Sequence, residues 1–367
     1  TFDAVSSIWT TIHGHCHPRI TEAIGRQAAT LDHATALGAT NPVAEELAER
    51  LCTRASLARA FFASDGASAV EAALKMAVQF WQNVGEPQRR RFVHLRASYH
   101  GDTVGAMSVS DIAVFRDRFS TLCFETATFD QLDGVLDRDD VAAVIVEPLV
   151  QAAAGMRIVP PAAYLPLTRA ISPLLIVDEI ATGFGRTGTF FAYEQVGLTP
   201  DLLCLGKGIS GGGLALSATL ASQRVFEAFS SAVVTDLRHF FHGHSYAANP
   251  IACAAALASL DLFEMEQTLA HVNALSRHLE DALAPLRADS RVVEIRRAGL
   301  MIGVEFDPAA FAQDRALPRP AWQVADALYE QGYFTRPIGN VIQLVPPLSS
   351  SAAELDGFLA ALRAALP

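Results

Sequence analysis

No apolar run in the 367 residues reaches the roughly 18 that a membrane-spanning helix requires. No signal-peptide pattern opens the chain, and a cytoplasmic protein with no membrane partner is expected. Positive charge is scarce: 28 Lys and Arg stand against 39 Asp and Glu, a formal charge of −11, which excludes the basic surface that a nucleic-acid partner calls for. Cysteine is scarce and scattered. Cys16, Cys52, Cys123, Cys204 and Cys253 are odd in number and form no CxxC, which fits reduced thiols in a cytosol. Internal repeats and low-complexity segments are lacking, and the Ala-rich stretch 251–260 reads as closely packed helix. Histidines alternate at His13, His15 and His17 and again at His242 and His244, yet no carboxylate or cysteine pattern completes a zinc ligand set, so turn and pocket histidines are expected and no metal.

What the chain does have is apolar residues, 51% of the total, enough for the cores of one large and one smaller domain. Strand-like runs at 60–64, 91–95, 141–147, 174–180 and 202–205 alternate with helical stretches at 67–81, 161–171 and 247–263. Alternation of this kind predicts an α/β fold, a mainly parallel sheet covered by helices on both faces. After residue 263 the pattern changes to a long amphipathic helix, a strand pair near 292–306, a helix from 321, a strand around 341–345 and a last helix. The predicted organisation is an N-terminal segment at 1–20, a large domain at 21–263 and a small C-terminal α+β domain at 264–367.

Three segments carry chemistry. Lys207 ends the apolar run Leu202-Leu-Cys-Leu-Gly-Lys207 with glycines crowding its far side. An amine desolvated there loses part of its preference for the charged form, and only the neutral amine attacks a carbonyl. Alone, the segment favours the plainer reading, a lysine that ends a strand and snorkels to water. Pro173-Leu-Leu-Ile-Val-Asp-Glu-Ile180 reads as a buried parallel strand with two acids at its C-terminal end, where ligands lie in such sheets. Those acids fit a ligand contact, a structural ion pair or a metal site. A pyridoxal phosphate enzyme needs both features, a lysine for the aldehyde and an acid to keep the pyridine nitrogen protonated. The third segment, Ala58 to Phe80, is a short strand, a Ser/Asp/Gly turn and a helix starting near Gly66 or Ala67, whose free N–H groups suit a phosphate. An ordinary capped connection has the same pattern. Gly183-Phe-Gly-Arg-Thr-Gly188 fits a dinucleotide fingerprint poorly, because Asp-Glu-Ile-Ala-Thr precedes it and Thr-Phe-Phe-Ala-Tyr follows where a helix should open.

Together with Ser64-Asp-Gly-Ala-Ser-Ala-Val-Glu71, Ser98-Tyr-His-Gly-Asp-Thr103, Asp178 to Gly188, Leu205-Gly-Lys207 and His242-Gly-His-Ser-Tyr-Ala-Ala-Asn-Pro250, these segments resemble the class III, fold-type I pyridoxal phosphate aminotransferases over nearly the whole chain. Trp81-Gln82, Tyr99 to Ser108 and Thr335-Arg-Pro-Ile-Gly-Asn340 narrow the match to the branch that serves biotin synthesis, whose members take adenosylmethionine as amino donor and 8-amino-7-oxononanoate as keto acceptor. The resemblance implies pyridoxal 5'-phosphate as cofactor, with Lys207, Asp178 and Tyr99 catalytic. Lys207 holds the cofactor and then moves protons as the base, Asp178 supports the protonated ring, and Tyr99 stacks on it. It implies further cofactor contacts from Gly66, Ala67, His100, Ile180 and Ser245, the last reaching a neighbouring subunit's phosphate in a homodimer with shared active sites. Substrate contacts fall to Trp9, Asp102, Arg186, Gly243 and Arg336, with Arg336 receiving the keto acid's carboxylate and ping-pong kinetics following from one pocket serving both substrates.

The chain departs from that branch in three places. It opens at Thr1, already near the family's Ser-Ser-Trp motif and past a substrate-pocket tyrosine; Ile8 stands where the branch usually has a first tryptophan; and the stretch 108–140 is shorter than in many relatives. Another class III ω-aminotransferase, using lysine or a different amine or keto acid, fits the same motifs. A non-catalytic protein that kept the fold does not account for Lys207, Asp178 and Tyr99 together.

Overall fold

The computed structural model describes residues 1–129, 134–169, 172–233, 235–307, 309 and 320–366. Apart from a short antiparallel pair, Val150–Gln151 and Arg157–Ile158, the described strands in chain order are β1 (Phe2–Asp3), β2 (Arg59–Ala63), β3 (Arg91–His94), β4 (Thr126–Thr128), β5 (Val141–Val146), β6 (Leu174–Asp178), β7 (Leu202–Leu205), β8 (Ser217–Ala221), β9 (Val292–Ala298), β10 (Met301–Phe306), β11 (Tyr333–Phe334), β12 (Pro337–Ile338) and β13 (Val341–Leu344). Every residue of β5, β6, β7 and β8 is buried, which is why β5, β6 and β7 read as near-continuous apolar runs instead of alternating ones. They build a seven-stranded sheet in the order β2-β8-β7-β6-β5-β3-β4, parallel except for β8, which runs antiparallel to both its neighbours. The C-terminal ends of the parallel strands therefore share one edge, the edge where ligands bind in open α/β sheets.

Helices α1 (Pro18–Thr30), α2 (Pro42–Ala55), α3 (Gly66–Asn83) and α4 (Pro250–Met265) cover this sheet and one another. In α3 the buried residues Ala69, Val70, Ala73, Leu74, Ala77, Phe80 and Trp81 recur at helical spacing, and each large one contributes about 1.5–3 kcal/mol by leaving water. The Asp65 carboxylate accepts from the Ser68 N–H at 2.9 Å and fixes where α3 begins. A smaller antiparallel sheet, β9-β10-β13-β12, is flanked by α5 (Thr268–Ala282), α6 (Pro320–Glu330) and α7 (Ala352–Ala365), the last opened by a capping box between Ser351 and Glu354. The opening residues lie against this part of the molecule: β1 pairs with β11, and the Val345 N–H donates to the Ala4 carbonyl at 2.7 Å.

Two expectations are corrected. The helix expected over 161–171 is a 3₁₀ segment, Pro161–Leu167, because Pro166 inside it has no N–H to donate and blocks an α-helical turn; residues 170 and 171 lie outside the described residues. Strand β8 was not foreseen, since Ser-Ala-Thr-Leu-Ala carries little β-branched signal and draws its stability from pairing on both sides. The helix expected from 247 begins at Pro250, where Asn249 caps it and proline takes the position that needs no N–H.

Candidate active site

A cavity of about 430 Å3 opens at that shared sheet edge, lined among others by Trp9, Gly66, Ala67, Tyr99, His100, Asp102, Glu147, Asp178, Ile180 and Lys207. The chain brings these residues together because each follows a strand: Gly66 after β2, Tyr99 and His100 after β3, Glu147 directly after β5, Asp178 at the end of β6 and Lys207 just past β7. A larger cavity, about 690 Å3, lies on the outer face of α3 and is lined by neither Lys207 nor Asp178.

Strand alternation separates the two acids that the sequence left equivalent. Asp178 faces the cavity; its Oδ2 is 2.6 Å from His100 Nδ1 and its Oδ1 accepts from the Ile180 N–H at 3.0 Å. Glu179 turns away, accepting from the Thr182 hydroxyl and the Tyr193 N–H, and burial pushes its carboxyl up to about 7. His100 is buried, and its Nε2 lacks a hydrogen-bond partner among the described residues. Burial works most strongly against its charged form, but the bond to Asp178 together with the Asp178 and Glu147 charges outweighs it, so its pKa is raised.

Lys207 begins a 3₁₀ turn, Lys207–Ser210, with φ of 43°, a left-handed conformation that non-glycine residues adopt at a cost of order 1–3 kcal/mol. Desolvation lowers its pKa, and the Asp178 and Glu147 carboxyls pull the other way. Its Nζ is 4.7 Å from the centroid of the Trp9 indole. Glu147, which sequence reasoning passed over, is 5% exposed, accepts from the Tyr99 N–H at 3.0 Å and is pushed up to about 8, chiefly by burial. Its signal was the same as that of Asp178, an acid at the end of a buried strand. Tyr99 packs on Phe115 with ring centroids 5.2 Å apart; burial, with the Asp102 carboxylate beside it, raises its pKa, while Arg336 acts in the opposite sense.

The start of α3 makes a narrow floor. A Cβ on Gly66 would come within 2.8 Å of Ile180 Cγ2, and one on Gly101, whose φ is +130°, within 2.6 Å of Ala67 Cβ. Backbone packed this closely leaves the first N–H groups of the helix facing the cavity, an anion site by geometry and dipole.

Other expected residues lie elsewhere. Arg186 is fully buried, donating to the Thr11 and Pro346 carbonyls at 3.0 and 2.8 Å and to Ser6 Oγ at 3.3 Å; it clamps the opening segment to the C-terminal part instead of lining the cavity. Burial pushes its pKa down to about 9, with the Asp3 carboxylate acting in the opposite sense. Ser245 and Gly243 are exposed on the loop between β8 and α4, where His244 reaches Ser64 Oγ at 3.2 Å. Arg336 is exposed, between β11 and β12. His13 bonds Ser259 and is held by burial at about 4, a neutral core histidine, while His15 and His17 pair with Asp3 and Glu266. The glycine-rich 183–188 segment is a run of turns, not the mouth of a helix.

A sequence model of the family described as aminotransferase class-III matches residues 1–366. The chain is 38% identical over 400 residues to the adenosylmethionine-8-amino-7-oxononanoate aminotransferase of Aquifex aeolicus, covering 99% of this chain and 87% of that protein. Its fold superposes on the crystal structure of the enzyme of that name from Methanocaldococcus jannaschii with a TM-score of 0.90 at 35% identity, covering 99% and 88% of the two chains. An amine transaminase from an uncultivated Pseudomonas species, in its PLP-bound form, gives 0.89 at 34% identity over 99% and 90%.

Proposed function

Because the chain belongs to the class III aminotransferases, we propose that it transfers the amino group of adenosylmethionine to the ketone of 8-amino-7-oxononanoate, with pyridoxal 5'-phosphate bound in the cavity beneath Trp9. The observation that carries the reading is the convergence of Lys207, Asp178 and the start of α3 on one cavity. The residues fit the cofactor's three demands: a desolvated amine for the aldehyde, a carboxylate for the ring nitrogen, and helix N–H groups for the phosphate, on a floor that side chains on Gly66 and Gly101 would obstruct. When bound, the cofactor supplies an electron sink for the charge left by proton loss.

The protein's own residues do the rest. Lys207 Nζ would take the proton from the carbon bearing the donor's amine and pass it to the carbon that was the cofactor's aldehyde, and its lowered pKa leaves more of it in the neutral, basic form. Asp178, braced by His100 Nδ1 and the Ile180 N–H, holds negative charge at a fixed point beside the ring nitrogen. Tyr99 and Trp9 wall the cavity, and Arg336, exposed but near enough to act on the Tyr99 hydroxyl, would offer its guanidinium to a carboxylate on the acceptor. A second copy completes the site in this reading: Ser245 lies on a loop whose neighbours Leu237, Phe241 and Tyr246 are 82%, 71% and 67% exposed, apolar surface suited to a partner subunit. The protein works in the cytoplasm in this reading.

Titration with pyridoxal phosphate should give a visible absorbance that Lys207→Ala abolishes. Lys75 and Lys207 are the two lysines of the sequence, so borohydride fixation followed by peptide mapping should label Lys207 and spare Lys75. Adenosylmethionine should bleach the absorbance and 8-amino-7-oxononanoate restore it. A protein that takes up no cofactor sinks the enzyme reading; one bleached by other amines and restored by other carbonyls alone points to the amine transaminase activity of the Pseudomonas neighbour's name.

A further inference from the structure

Trp9 and Arg336 are joined by one side chain. Gln343 on β13 is 1% exposed; its Oε1 accepts from the Trp9 indole N–H at 2.9 Å and its Nε2 donates to the Arg336 carbonyl at 2.6 Å. Its own carbonyl accepts from the Thr335 hydroxyl at 2.6 Å, so the residue before Arg336 is held by the same strand position. A primary amide carries a donor and an acceptor at one end, and a buried indole N–H beside a backbone carbonyl in a part-buried bond needs that pair in one orientation.

The Trp9 end of this connection is strained. Ser6, Ser7, Ile8 and Trp9 have φ of 50°, 48°, 62° and 68°, four successive non-glycine residues in the left-handed region. Such a turn persists only where its surroundings over-determine it. Here the Ser6 hydroxyl donates to the Val345 carbonyl at 2.7 Å, Arg186 donates to Thr11 O, and Gln343 holds the indole that ends the turn. The turn delivers the Trp9 ring to within 4.7 Å of Lys207 Nζ.

We infer that Gln343 is a positioning residue for substrate recognition, setting the Trp9 wall and the Arg336 backbone as one unit. The inference rests on the proposed function in assigning those two residues to substrate. Gln343 touches neither cofactor nor substrate in this assignment; it acts through its two neighbours. Loss of its amide leaves a buried indole N–H without its partner and frees the Arg336 carbonyl, so both can move.

Replacing the three tryptophans, Trp9, Trp81 and Trp322, with 5-fluorotryptophan gives three fluorine resonances, and W9F identifies one of them. In the near-isosteric Q343M the Trp9 resonance should shift while the other two stay in place, with or without cofactor. The KM for the carboxylate-bearing acceptor should rise about tenfold with kcat within about twofold, the size expected for one displaced buried hydrogen bond. Q343E, in its ionised form, keeps the acceptor for the indole and loses the donor to Arg336; it should leave the Trp9 resonance near wild type and still raise KM, which keeps the test open if Q343M folds poorly. An unmoved Trp9 resonance in folded Q343M, or an unchanged KM alongside a moved one, overturns the inference. A wild type that accepts no carboxylate-bearing ketone sinks the proposed function, while a shifted Trp9 resonance still upholds the tether.

Discussion

Glu147 gives the sharpest test of the electrostatics around Lys207. Its carboxyl is 5% exposed and, mainly through burial, is raised to about 8 from an ordinary 4.5. Below pH 4.5 the group is protonated in both folded and unfolded chains and its titration contributes nothing to stability. Between 4.5 and about 8 the unfolded chain releases this proton and the folded chain keeps it, so folding takes up a proton and stability falls as pH rises, by about 1.4 kcal/mol per pH unit. Above 8 both forms are ionised and the loss levels off, at on the order of 5 kcal/mol. Glu147→Gln keeps an oxygen for the Tyr99 N–H and removes the titration. Chemical denaturation of cofactor-free wild type and E147Q from pH 5 to 9 should therefore give curves that diverge, with E147Q gaining on wild type through this window and holding a constant lead beyond it. Glu179 titrates in both proteins and drops out of the difference, whereas His100, which the Glu147 charge helps to raise, adds a smaller contribution of its own. Parallel curves across the window would refute the reasoning, because they would mean that Glu147 is ionised in the native protein and that burial does not govern it.

Asp178→Asn removes the charge that holds His100 Nδ1 at 2.6 Å; turnover with pyridoxal phosphate bound should fall roughly 10²–10⁴-fold, measured as single half-reactions, and a loss under tenfold would show that the carboxylate's charge is not used. His100 in that variant should titrate at a lower pH than in wild type, read from its ring proton shifts, since the bond to Asp178 is what raises it. Gly101→Ala sets a Cβ 2.6 Å from Ala67 Cβ at a φ of +130°, so it should destabilise the fold by about 1–3 kcal/mol and weaken cofactor affinity at least tenfold by equilibrium titration. Unchanged affinity in G101A would separate the start of α3 from phosphate binding.

Much of the fold could be read from the chain because buried parallel strands announce themselves. Leu174-Leu-Ile-Val-Asp and Leu202-Leu-Cys-Leu are unbroken apolar runs, and helix α3 repeats its apolar residues at a spacing of three and four. Strand β8 escaped because its small residues gain their place by pairing with β2 and β7, and the 3₁₀ segment at Pro161 escaped because one interior proline changed the helix type. The candidate site was legible where a residue follows such a strand, as Lys207 and Asp178 do. It was not legible where a side chain's direction decides its use: Glu147 faces the cavity, Glu179 faces away and Arg186 is sealed under the opening segment.

The sequence alone determined that the chain would build a helix-covered parallel sheet and deliver an amine, an acid and a helix start to its C-terminal edge, because local periodicity and strand ends dictate those placements. Only the tertiary structure decided which acid meets His100, that Arg186 is sealed beneath the opening segment and that Gln343 holds Trp9. Those partners are 78, 175 and 334 residues apart in the chain, and no local pattern encodes a contact that exists only after the sheet has closed around it.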